Sequence, residues 1–294
     1  MSSFTIAKQS FRDNRTATIG MSVAVVVLAA VVTALYPSYK EMLGDFELPG
    51  FYAGFVGEAG DISSPEGFLS VEFFSWIPLL VITMAIIGGT RAIASEESDG
   101  TMDILLAQPV SRTRFVIEKA VGLIISLSIM ILVSIPALVI STRLVGMDIG
   151  AGNLAAGAIS MLSLVLLFLM LSLWAAAATP SRSSAVMVSV GILIVSFFIH
   201  NLGASIEVLE TPRKFLPFYW GEGSTALVHG IQWGWLALTA AVSCGFLAGA
   251  VWSFNRRDIA SGASDWNLRA LLPWKPSLPH RHNIHHDTME EPGA

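Results

Sequence analysis

The chain has 294 residues, of which 53% are hydrophobic and 13% charged, and its mean hydropathy is +0.66. A soluble domain carries about 25% charged residues, so this composition excludes an ordinary water-facing surface and places the chain in a membrane. The formal net charge of −5 points to no nucleic-acid partner, and where the charges fall matters more than their sum. The single cysteine, Cys244, excludes an internal disulfide and a thiolate metal cluster, and within its apolar run it reads as a small core hydrophobe.

Residues 1–17 place Phe4, Ala7 and Phe11 at i, i+3 and i+7, with Gln9, Arg12 and Asp13 elsewhere. That spacing predicts a short amphipathic helix lying on the membrane surface. Residues 18–254 then hold six apolar runs, approximately Thr18 to Tyr36, Val71 to Thr90, Phe115 to Ile140, Asn153 to Thr179, Ser183 to His200 and Ile231 to Phe254. Lipid offers backbone groups no hydrogen-bond partners, so each run reads as a spanning helix and the fold class is an all-α integral membrane protein. Because further spans follow, the first is read as an uncleaved helix rather than a secretory signal. Pro136 predicts a kink in the third span, and the length of the fourth predicts a tilt or a projection beyond the bilayer.

All but four of the 17 lysines and arginines fall on the side of the two termini. The exceptions are Lys40, Arg143, Arg213 and Lys214, so by the positive-inside rule both termini are expected in the cytoplasm. Two outer loops follow, 37–70 and 203–230. In them Phe51, Tyr52 and Phe55, and then Phe215, Pro217, Phe218, Tyr219 and Trp220, read as an aromatic belt at headgroup level. His200 and His229, flanking the second loop, read as interfacial polar residues. The tail 255–294 is polar and proline-bearing, and its His280, His282, His285 and His286 read as scattered residues rather than a metal site.

The inner loop 91–114 contains EESDGTMDILLAQPVSR from Glu96 to Arg112. Gly100 permits a sharp turn, Asp99 or Thr101 can cap a helix start, Asp103 suits the positive end of its dipole, and Pro109 stops the helix. The product is a short cytoplasmic helix with Met102, Leu105 and Leu106 on one side. Such an apolar ridge framed by charges suits either a lipid surface or the groove of a soluble partner. Arg91, at the end of the second span, suits contact with these acids and the positive-inside rule equally.

This stretch resembles the permeases of type-2 ATP-binding-cassette exporters, whose hallmark is an acidic pair, a Gly-Thr step, a Leu-Leu turn and a Pro-Val-Ser-Arg close just after the second span. The six-span layout, inside termini and amphipathic first helix extend the resemblance over most of the chain. It implies that the loop is a coupling helix seated on a separate ATPase, with Glu96, Glu97, Gly100, Thr101, Leu105, Leu106, Pro109 and Arg112 as the coupling residues. It further implies an export permease of the plasma membrane that pairs with a second copy or a paralogue and with two ATPase subunits. On this reading ATP and Mg belong to the partner, and this chain has no cofactor, metal or catalytic residue of its own. The second and fifth spans, which line the path in the family, suit an amphipathic or lipid-like cargo.

Two absences in the sequence agree with that division of labour. No G-x-x-x-x-G-K-[ST] stretch occurs, so the chain has no P-loop for nucleotide phosphates, and Gly221-Glu222-Gly223 is no substitute. The fourth and fifth spans hold no ionisable residue before His200, which argues against the proton or sodium relay of a secondary transporter or channel. A channel or secondary transporter is the nearer alternative, and an intramembrane protease the more distant one. The E-E-x-x-x-R pattern of membrane metalloproteases would need arginine where this chain has Thr101, and no H-E-x-x-H is present.

Overall fold

The computed structural model describes residues 5–43, 62–98, 111–203, 205–221 and 223–256, with the backbone alone at 43 and 94–98. Within these residues the chain is helical throughout, with no strand, and six helical runs are long and apolar enough to cross a bilayer. They are Thr5–Met42, Pro65–Ile93, Arg112–Val145, Ala151–Ala178, Arg182–Leu202 and Trp233–Arg256.

The first helix, α1, runs unbroken over Thr5–Leu43, about 58 Å at 1.5 Å per residue. The amphipathic segment and the first span, expected as separate elements, are therefore one helix. The inward face also differs from the expected apolar one. Ala7, Ser10, Thr18, Val25, Ala29, Thr33 and Tyr36 are buried at helical spacing, while Phe11 is half-buried. Small polar residues can face inward because the helix satisfies them: Asn14 Nδ2 donates to the Ser10 carbonyl at 2.9 Å, and the hydroxyls of Thr18 and Thr33 donate to the carbonyls of Asn14 and Ala29 at 2.9 and 2.8 Å.

The chain returns through α2 (Pro65–Leu69), a π-helical turn (Ser70–Phe74) and α3 (Ile77–Ser98). Ser64 caps α2, its hydroxyl accepting from the Gly67 amide at 3.0 Å. Then α4 (Arg112–Leu132) and α5 (Ser134–Val145) meet at Val133. The helix is interrupted here, three residues before Pro136, whose ring excludes the carbonyl of residue 132 and which has no amide to donate to it. Beside the break, Ser134 Oγ donates to the Ile131 carbonyl at 2.6 Å.

Helix α6 (Ala151–Ala178) is the centre of the bundle, contacted by α3, α4, α5 and all the later helices described below except α8. It is apolar around its circumference, which is the pattern of a helix enclosed on all sides. Its 28 residues span about 42 Å, longer than a hydrocarbon core of about 30 Å, as its sequence suggests. Gly89 brings α3 against it: a Cβ there would collide with Ser172, whose hydroxyl reaches the Ala85 carbonyl at 3.3 Å.

After α7 (Arg182–Leu202) come three short helices, α8 (Glu207–Arg213), α9 (Pro217–Trp220) and α10 (Gly223–His229), before α11 (Trp233–Arg256). Of the rings expected at headgroup level in 203–230, Phe215 is 73% exposed, whereas Phe218 is 6% exposed and lies inside the bundle. Phe218 packs between Phe168 and Phe197 with centroids at 6.1 and 5.5 Å. Behind it α10 folds back onto α6 and buries Ser224, Ala226 and Leu227. Gly157 permits that return, because a Cβ there would meet the Phe74 ring at 2.8 Å and the Gly223 carbonyl at 3.2 Å. Cys244 is exposed, contrary to its reading as core, because it lies on a face of α11 turned away from the contacts that α11 makes with α6, α4 and α9.

Candidate functional site

The six spans alternate in direction, and their contacts fix which ends meet. At one end lie the starts of α1, α4 and α7 and the ends of α3, α6 and α11, hereafter the near end. Asn255 Nδ2 donates to Thr113 Oγ1 at 3.0 Å, Phe254 stacks on Phe115 at 5.8 Å, and Ala7 lies against Gly122. Two connections occur here: 179–181 is short, whereas 99–111 carries the motif.

Of the residues singled out in that motif, Glu96 and Glu97 lie in the last turn of α3 and Arg112 opens α4. Gly100, Thr101, Leu105, Leu106 and Pro109 lie outside the described residues, as do the first outer loop's Phe51, Tyr52 and Phe55 and the tail histidines. The backbone thus brings the acidic pair and Arg112 to the same end, as the two flanks of one connection. The start of α4 is defined by Ser111, whose hydroxyl accepts from the Arg114 amide at 3.3 Å.

A carboxylate that sequence reasoning missed stands one turn further. Glu118 is 4% exposed, and both its oxygens are used. Oε1 accepts from Arg114 Nε at 2.6 Å, while Oε2 accepts from the backbone amides of Ile6 and Ala7 at 2.9 and 3.3 Å. The first turn of α1 holds no acidic side chain, so its orphan amides are satisfied from 112 residues away. The only sequence signal was the i, i+4 pairing of Arg114 with an acid inside an apolar run. Lys119, also buried, lies over Phe115 at 5.7 Å, and Arg256 lies over Trp252 at 4.2 Å.

At the far end a small pocket is lined by Phe74, Phe197, His200, Asn201, Phe218 and Ser224. His200 is buried there, 6.3 Å from the Phe218 ring, rather than interfacial as expected, whereas His229 is exposed. Beside this pocket Glu72 sits half-buried in the π-helical turn, a second acid that the sequence reading passed over inside its second span. Among the described residues its lining holds no carboxylate, and its rings and amide suit apolar or neutral polar groups.

Neither end presents a nucleophile–base pair or a phosphate-binding loop among the described residues; at the near end the start of α4 is tied to α1 and α11. No curated protein matches the chain. The model of the family described as ABC-2 family transporter protein matches residues 4–259, which takes in all six spans, the 99–111 connection and the near-end ties. The chain belongs to the ABC-2 family of transporter proteins and is a membrane permease of an ATP-binding-cassette transporter.

Proposed function

We propose that this permease exports its cargo across the plasma membrane, driven by a separate ATPase that docks on the connection between α3 and α4. The observation that supports the reading is the EESDGTMDILLAQPVSR stretch in the sequence, whose described flanks, the end of α3 and the start of α4, both lie at the near end. The helix that follows it, α4, is bonded at its base to both α1 and α11. On this reading the near end is cytoplasmic, two permeases pair, and nucleotide-driven closure of the ATPases drags the 99–111 segment. The spans then switch between inward- and outward-facing packings, each favoured by its own nucleotide state. An amphipathic or lipid-like cargo suits the outward apolar faces of the second and fifth spans, which include Leu80, Ile87, Ile194, Val195 and Phe198.

The central test is Leu105→Asp. A carboxylate buried in a partner groove without a counter-charge costs at least a few kcal/mol, whereas at a wet surface it costs little. The variant is therefore expected to insert and fold but to lose its ATPase in a pull-down from co-expressing cells. An undiminished pull-down would discard the coupling assignment. Sidedness has its own check: a cysteine placed at Ser98 should resist an impermeant thiol reagent in intact cells, and one at Ser63 should react. The reverse pattern inverts the topology.

A further inference from the structure

The near-end ties form a continuous chain of contacts. Ser111 caps α4 and holds the Arg114 amide at 3.3 Å. The Arg114 guanidinium holds Glu118 at 2.6 Å, and Glu118 accepts from the amides of Ile6 and Ala7. One turn beyond, Gly122 lets the backbones approach so closely that a Cβ would lie 2.7 Å from both the Ala7 carbonyl oxygen and the Ser10 Cβ. The base of α1 is thus gripped by a charge-assisted bond and by direct contact, the first of which is directional.

What it grips is a single helix that reaches the other end of the bundle. There the Tyr36 hydroxyl donates to the Ser63 carbonyl at 3.1 Å, and the rings of Tyr36 and Tyr39 pack on Phe68 at 5.4 and 4.8 Å. Phe68 lies two residues before the π-helical turn, a register irregularity of the kind often found at functional sites. The turn is held by Ser70 Oγ donating to the Glu66 carbonyl at 2.7 Å and Ser75 Oγ donating to the Ser70 carbonyl at 2.8 Å.

We infer that Glu118 is a positioning residue that fastens α1 to the start of α4, so that displacement at the 99–111 connection is carried along α1 to the far-end segment 62–74. The inference rests on the coupling reading for its purpose, but the mechanical link belongs to this chain alone. An amidated side chain at this position keeps the volume, yet it has one acceptor oxygen for three donors, and its NH2 faces N–H groups. Glu118→Gln therefore weakens the grip without emptying the site.

The test is hydrogen exchange on the full chain in nanodiscs of phosphatidylethanolamine and phosphatidylglycerol, without any ATPase. With Glu118→Gln, amides of residues 6–10 are expected to exchange about 10-fold faster or more, and amides of 62–70 to accelerate at least about 3-fold, while α6 stays protected. Acceleration confined to 6–10 reduces Glu118 to a local cap and overturns the inference. Acceleration of α6 in step with the others makes it a residue of general stability and overturns it equally. Should the glutamine variant not fold, Glu118→Asp, which keeps the charge but shortens the reach, is read by the same criteria. Because no partner is present, this result stands or falls independently of the Leu105→Asp pull-down.

Discussion

The two ends of the bundle are held by different balances of the same forces. At the near end directional ties stand out, a helix cap at Ser111, the carboxylate of Glu118 on two amides and a guanidinium, and the Asn255–Thr113 bond, beside the Phe254–Phe115 stack and the close approach at Gly122. At the far end rings and close approach stand out, Phe218 among Phe168, Phe197 and His200, Tyr219 edge-on to Trp235 at 5.3 Å, and Gly157 against Phe74, beside the Tyr36–Ser63 bond. Directional bonds pass on a displacement only while their geometry is kept, which suits the near end to the coupling proposed for it. Ring packing loses little over a small slide and much when a ring is removed.

That contrast predicts where truncation hurts most. Phe218→Ala removes a ring that touches three others and leaves a cavity between α6, α7 and α9, at a cost of about 3–5 kcal/mol. Thermal unfolding in detergent should show it as the largest loss among single near- and far-end variants. If near-end variants cost more, the far end is not the anchored one and the comparison is reversed.

The sequence makes the spans legible because lipid leaves helices as the available solution, and the break at Val133 was legible because Pro136 admits few alternatives. The inward face of α1 was not legible. Periodicity points at Phe4, Ala7 and Phe11, but close packing against α4 selects Ala7 and Ser10, since Gly122 leaves room for small side chains alone. Nor was the return of 217–229 into the bundle, since an aromatic run at a span boundary reads the same whether its rings lie in headgroups or between helices. Exposed Cys244 repeats the point, for an apolar neighbourhood in sequence is shared by lipid-facing and core positions. Glu118 was hidden because its partners are backbone amides, which carry no sequence signature. The motif that carries the functional reading was fully legible as residues, while Gly100, Thr101, Leu105, Leu106 and Pro109 lie outside the described residues.

Ser111→Ala sharpens the near-end half of the comparison. Loss of the cap leaves the Arg114 amide without its acceptor and should cost about 1 kcal/mol. Since Arg114 also holds Glu118, the start of α4 is expected to fray before the bundle unfolds. Faster exchange at 112–116 with a nearly unchanged unfolding midpoint is the expected result, and a midpoint loss as large as that of Phe218→Ala would contradict it.

The smallest effect is expected at a contact that resembles the near-end ties on paper. Lys214 Nζ donates to Glu210 Oε1 at 3.0 Å with both side chains about half exposed, and that hydrogen bond, with the charge behind it, holds the Glu210 carboxyl below its usual range. A carboxyl lowered on folding contributes stability above its ordinary titration range, and that contribution is lost as pH falls through the lowered value. Here solvent screens the pair and two long side chains must be ordered to make it, so the contribution is too small to register in unfolding. Glu210→Gln should therefore leave the midpoint unchanged at neutral pH and should not alter its decline on acidification. Glu118 makes the same i, i+4 bond to a cation, but it does so buried and with two amides added. If Glu210→Gln proved as damaging as Glu118→Gln, burial would not be what separates a structural tie from a surface pair, and the distinction drawn between the two ends would fail.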